Sequence, residues 1–241
     1  MSDDRLERSA AARQLPLALR YPPDQRLETF IAAPEGSLAQ LRAIAWSTGA
    51  TAVYLQGAEG AGKTHLALAT CAAVEASACR AGYLPLNAAR GRLVDALHAL
   101  EGNDLVALDG VDAIAGDRAG EVALFDFHNR ARSAGVGLLY TGRVAPDQLP
   151  LVLPDLRSRL SQCARIVLAS LDDAGRREVL RERAQRRGLA MDDAAYDWLL
   201  RRVGRDLAGL TTLLDGLDRA SLAAKRRITV PFLREMLDPP R

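Results

Sequence analysis

The sequence predicts an α/β fold built on a parallel sheet and followed by a small all-helical domain. Three observations carry this prediction. Short apolar runs at 51–55, 82–86, 105–109, 136–141 and 164–168 do not alternate with polar residues, as expected of strands covered on both faces. Segments of helical character separate them, over 37–48, 63–78, 90–101 and 119–133. Beyond about residue 170 no strand signal remains, and 172–187, 192–203, 206–224 and 230–237 all read as helices.

The boundaries follow from local chemistry. Ser37 caps the first helix and Gly49 ends it. Thr51 opens a β-branched apolar run that stops at Gly57, where the chain turns into an Ala/Leu-rich helix. In the helical part Asp172, Asp192 and Thr229 are N-cap residues and Gly188 is a C-cap. The Arg-rich stretch 176–187 reads as a solvated helix face. Residues 1–13 are charged and Ala-rich, with few anchors for a core, and are expected to be disordered. The organisation that results is a tail over 1–20, an α/β domain over 21–169 and a helical domain over 170–241.

Composition excludes several classes. The 241 residues are 49% hydrophobic and carry a net charge of +2, too little to hold nucleic acid mainly through bulk charge. Cys71, Cys79 and Cys163 form no C-x-x-C pair, and His65, His98 and His128 lie far apart, so neither a disulfide framework nor a metal site is indicated. Reduced thiols suit the cytoplasm. No apolar run approaches the ~18 residues that span a bilayer, and no apolar stretch follows the charged N-terminus as in a signal peptide.

The chemistry concentrates at Gly57-Ala58-Glu59-Gly60-Ala61-Gly62-Lys63-Thr64, which matches G-x-x-x-x-G-K-[ST] between a strand and a helix. The glycines let backbone N–H groups turn inward onto phosphate oxygens, and the following helix adds its positive end. Lys63, one of two lysines beside Lys225, supplies a point charge to the β and γ phosphates, and the Thr64 hydroxyl is a Mg²⁺ ligand. Asp109, at the end of the 105–109 strand, stands where a second acidic group holds the same ion. ADP or ATP with Mg²⁺ is the ligand this pattern implies. The next residue, often acidic in P-loop ATPases, is Gly110, and Asp112 lies beyond the strand end. Intrinsic hydrolysis is therefore expected to be weak or nil.

The P-loop with its following His65-Leu66, the segment Val111-Asp112-Ala113-Ile114-Ala115-Gly116-Asp117 and Phe125-Asp126-Phe127-His128-Asn129-Arg130 resemble the AAA+ domain of the bacterial initiator DnaA. Leu153-Pro154-Asp155-Leu156-Arg157-Ser158-Arg159-Leu160 and Leu217-Asp218-Arg219-Ala220-Ser221 extend the likeness over nearly the whole chain from Gln14. The sequence resembles more closely the Hda family, the small DnaA-homologous regulators that inactivate DnaA. The resemblance implies a P-loop AAA+ core with a five-stranded parallel sheet and a helical lid. It places His65 with the nucleotide-binding residues, Arg159 at the arginine-finger position, Arg205 at the lid arginine called sensor II, and Thr141 at sensor I, with Arg143 where the family often has an acid. Gln14-Leu15-Pro16-Leu17-Ala18-Leu19 is similar to the family's clamp-binding hexapeptide, in which Gln14 supplies directional hydrogen bonds and Leu15, Leu17 and Leu19 fill an apolar pocket.

The resemblance implies a regulator of replication initiation. Its partners would be DnaA and the sliding clamp, the β subunit of DNA polymerase III, with no membrane. Finger logic implies head-to-tail contacts and is compatible with self-association. DnaA carries a DNA-reading domain after its lid, whereas this sequence stops at Arg241, so no direct sequence-specific DNA binding is expected. Two readings compete: an active motor that remodels DNA complexes, which calls for an acid where Gly110 stands, and a DNA-binding initiator paralogue, which calls for a basic, groove-entering helix.

Overall fold

A computed structural model of the chain describes residues 26–31, 33–46, 51–203, 213, 214, 216, 217, 219 and 227–237. Helix α1 (Ser37–Trp46) precedes β1 (Ala52–Gln56), α2 (Lys63–Ala76), β2 (Ala81–Pro85), α3 (Leu93–His98), β3 (Leu105–Asp109), α4 (Arg118–Ser133), β4 (Gly137–Gly142), α5 (Pro154–Ser161) and β5 (Ala164–Val167). Three further helices are described: α6 (Asp173–Arg186), α7 (Asp193–Val203) and α8 (Val230–Leu237). The five strands pair in parallel in the order β2-β3-β4-β1-β5.

The non-alternating strands have a direct explanation. On β1, Val53 and Leu55 enter the layer formed with Leu41, Leu66 and Val74, while Tyr54 enters the opposite layer. On β3, Leu105 and Ala107 face the first layer, and Val106 and Leu108 join Leu93, Leu124, Phe127 and Leu156 in the second. Both faces are buried, so each residue is apolar. A third core is built from the helical part alone, by Leu180, Ala184, Tyr196, Leu199, Leu214, Leu217, Ile228, Phe232 and Leu233.

Most expected boundaries hold to within two residues, and three local differences have physical causes. The helix expected over 90–101 shrinks to α3, because Gly91 and Gly102 take positive φ and close turns on either side. Ser37 is the first helical residue rather than an acceptor cap, and its hydroxyl donates back to the Pro34 carbonyl at 2.6 Å. The Arg-rich helix α6 is not merely a solvated face. Arg177 pairs with Asp193 and Asp197, and Arg183 and Arg186 line a cleft. The caps behave as expected at Asp172, which accepts from the Gly175 N–H, at Asp192, which accepts from that of Ala195, and at Gly188 with φ of 67°. The expected 206–224 helix lies outside the described residues apart from Leu213, Leu214, Gly216, Leu217 and Arg219.

One buried titratable group makes stability depend on pH. His128 on α4 is 5% exposed, stacks on Tyr140 and has Nδ1 at 2.9 Å from the Tyr140 hydroxyl. Burial first, then the charges of Arg132 and Arg159, push its pKa down to about 4. An unfolded histidine titrates near 6.5. Between those values the unfolded chain carries a proton that the native chain lacks, so stability is full above about 6.5 and falls as pH drops towards 4. The expected loss is on the order of 2 kcal/mol. Urea unfolding at pH 7 and pH 5 measures it, and His128→Gln should flatten the difference.

Candidate nucleotide-binding site

The loop between β1 and α2 is shaped by two glycines. Gly62 ends it at φ 92°, and a Cβ there would meet the Phe30 ring at 2.5 Å, so both backbone and space demand glycine. Gly57 packs on Leu168, whose carbonyl would be 3.0 Å from an added Cβ. The Lys63 ammonium donates to the Gly57 and Ala58 carbonyls at 2.6 and 2.8 Å, inside the loop it closes. Its pKa is lowered, chiefly by burial.

Sheet order brings the second half of the site to the first. Because β4 lies between β1 and β3, the P-loop and Asp109 emerge on either side of Thr141. Asp109 is the hub. Its Oδ2 accepts from the Thr64 hydroxyl at 2.8 Å and the Tyr83 hydroxyl at 2.7 Å, and its Oδ1 accepts from Thr141 at 2.5 Å. The same Thr141 oxygen accepts from the Gly110 N–H at 2.9 Å. Thr141 thus fixes the end of β3 within the sheet. Asp112, also at the cleft, accepts the Arg143 N–H with both oxygens at 3.0 Å.

These groups line a cleft of about 700 Å³. The P-loop residues from Glu59 to Thr64, His65, Asp109 and Gly110 line it. Thr29, Phe30 and Ile31 line it too, as do Leu171, Val179, Arg183 and Arg186 from the C-terminal part. His65, 8% exposed, ties the Thr29–Phe30 wall to α2: its Nε2 donates to the Arg26 carbonyl at 3.2 Å, and its ring meets Phe30 edge-on at 5.4 Å.

A family model described as the lid domain of Hda matches residues 173–237. A second, described as IstB-like ATP binding protein, matches residues 4–125, just over half of the chain. The chain is an Hda-like AAA+ protein and belongs to the IstB-like ATP-binding family. Domain III of the Thermotoga maritima replication initiation protein DnaA shares its fold, with a TM-score of 0.71 at 19% identity over 90% of this chain and 97% of that one. AMPPCP-bound DnaA from Aquifex aeolicus gives 0.62 at 19% identity, over 85% and 70%. The Thermotoga maritima RuvB Holliday junction branch migration motor gives 0.60 at 17%, over 89% and 71%.

The cleft of this Hda-like protein suits a nucleotide with Mg²⁺. A hydroxyl and a carboxylate 2.8 Å apart, Thr64 and Asp109, are the hard oxygen donors that Mg²⁺ takes alongside phosphates. These two would hold the ion, and the loop N–H groups and Lys63 the phosphates; bound there, the ion would neutralise charge between phosphate oxygens. Among the described residues no group of three His, Cys, Asp or Glu side chains forms a further metal cluster, and no helix is long and apolar enough to cross a membrane.

Arg159 stands apart from this cleft. It is exposed near the C-terminus of α5, and β5 begins at Ala164, which pairs with Val53 near the start of β1. Arg159 therefore lies towards the end of the sheet opposite the P-loop. Gln14, Leu15, Leu17, Leu19 and Arg205 lie outside the described residues. Sequence reasoning missed Tyr83, whose link to Asp109 depends on β2 lying beside β3, and it missed the placement of Arg183 and Arg186.

Gly110 takes φ 83°, with nothing within 4 Å of an added Cβ. The space is free, but the left-handed backbone is not. Gly110→Ala and Gly110→Glu are each expected to cost about 1 kcal/mol in urea unfolding, and the glutamate is expected to leave phosphate release unchanged, because its side chain would leave a left-handed backbone.

Proposed function

We propose that this Hda-like protein is a negative regulator of replication initiation that acts on a partner's nucleotide rather than its own. Recruited to the DNA-loaded sliding clamp through Gln14, Leu15, Leu17 and Leu19, it binds adenine nucleotide in its own cleft and offers Arg159 to ATP-bound DnaA. DnaA then hydrolyses its ATP and cannot re-initiate. An arginine placed at a neighbour's γ-phosphate stabilises the charge that develops on the transferred group.

The observation that carries this reading is a separation. The cleft holds a P-loop, Lys63, Thr64 and Asp109, but Gly110 stands where the water-orienting acid belongs and Asp112 is spent on Arg143. The exposed Arg159 sits away from that cleft, on α5. A site built to bind without turnover, and a cation aimed outward, fit an activator in trans. The match of the lid to that of Hda supports the same assignment.

A motor reading draws on the IstB-like match across the P-loop half. It requires substantial turnover by the chain alone, which Gly110 opposes. To separate the two, ATP-loaded DnaA is mixed with clamp-bearing DNA and ATP consumption is followed with and without this chain. The regulator accelerates consumption, and Leu17→Ala with Leu19→Ala shifts the response to much higher protein concentration. An unaltered chain that leaves DnaA's rate unchanged overturns the proposal.

A further inference from the structure

Arg143 also lines the cleft. Its backbone is anchored twice. The preceding Gly142 pairs with Gln56, and its carbonyl accepts from the Gly57 N–H at 3.1 Å, at the first residue of the P-loop. Its own N–H is held by both oxygens of Asp112. The residue is thereby fixed where β4 leaves the sheet, between the P-loop and the end of β3. Its side chain is free by comparison, 64% exposed, with one ion pair at 3.5 Å to Glu59, itself 85% exposed within the P-loop.

The other cations lining the cleft are more firmly engaged. Lys63 serves the Gly57 and Ala58 carbonyls. Arg90 donates twice to the Ala113 carbonyl, at 2.6 and 3.0 Å. Arg186 donates to Glu182 at 2.5 Å and to the Thr29 carbonyl at 3.4 Å, and Arg183 has contacts of its own. An exposed ion pair such as Arg143–Glu59 is held weakly and gives way to a stronger anion. Arg143 also stands close enough to Lys63 for its charge to lower the lysine's pKa.

We propose that Arg143 is a nucleotide-specificity residue, recruited by the third phosphate of a bound adenosine triphosphate and left on Glu59 when the ligand is a diphosphate. The P-loop N–H groups and Lys63 serve a diphosphate and a triphosphate alike. An additional anion reaching past Lys63 would meet a guanidinium on a fixed base, and charge-assisted pairing with phosphate is what that group does best. With Gly110 beside it the triphosphate would be recognised without being consumed, so the chain reports which nucleotide it holds. This inference rests on the nucleotide reading of the cleft.

The test is equilibrium binding of ADP and of non-hydrolysable AMPPCP, each with Mg²⁺, to the full chain. Arg143→Ala is expected to weaken AMPPCP about tenfold, a typical worth of one charge-assisted contact, and ADP less than twofold. Glu59→Gln, which releases Arg143, is expected to tighten AMPPCP. Equal weakening of both nucleotides by Arg143→Ala, or no change in either, overturns this inference while leaving the nucleotide reading intact. An unaltered chain that binds neither nucleotide overturns both.

Discussion

Arg159→Ala is expected to remove the acceleration of DnaA's ATP hydrolysis while leaving nucleotide binding by the variant unchanged. The magnitude follows from the chemistry. An arginine that reaches a neighbour's γ-phosphate is worth roughly 10³-fold or more in rate, so its loss should return DnaA to its unassisted turnover. Folding should be untouched. Arg159 is exposed on the short helix α5, whose hold on the core comes from the buried Leu156 and Leu160. Arg159→Lys keeps the charge but loses the planar fork, and should recover little of the activity. Single-turnover hydrolysis of DnaA-bound ATP, read beside ADP affinity of each variant, checks both halves. Retained acceleration by Arg159→Ala would remove the finger from the account.

The largest effect on stability is expected at Glu121. This α4 carboxylate is fully buried, with no ion pair to a cation among the described residues. It is satisfied by three backbone N–H groups, of Gly116 at 2.8 Å, Val152 at 3.1 Å and Leu153 at 2.6 Å. Leu153 is the N-cap of α5, so the negative charge also lies at the positive end of the helix that carries Arg159. Glu121→Ala removes the acceptor of three part-buried donors and is expected to cost about 2 to 4 kcal/mol in urea unfolding. Glu121→Gln retains one acceptor oxygen and should fall between. A loss below about 1 kcal/mol for the alanine variant would show that water replaces the carboxylate with little penalty.

What the sequence disclosed depended on whether the signal was local. The five strands were readable because burial on both faces makes every position apolar, as in Leu105-Val106-Ala107-Leu108. The P-loop was readable because its glycines recur at fixed offsets, and Gly62 takes a positive φ with the Phe30 ring against it. Asp109 could be named from its place at a strand end. Its three hydroxyl partners could not all be named, since Tyr83 reaches it only because β2 lies beside β3, and strand order leaves no mark in a single sequence. The same holds for α6. Composition showed an Arg-rich helix, but the turn of the chain after β5 decides that Arg183 and Arg186 line the cleft. Asp112 likewise looked merely remote from the strand end, whereas it holds the backbone of Arg143.

The measurement closest to the central claim is ATP hydrolysis by the purified chain alone, set beside hydrolysis in a mixture with ATP-loaded DnaA and clamp-bearing DNA. Negligible turnover by the chain alone is expected, with a marked rise in the mixture that disappears with Arg159→Ala. Brisk hydrolysis by the chain alone, with DnaA's rate unchanged in the mixture, would contradict it and make this protein a motor that dispenses with an acid at position 110.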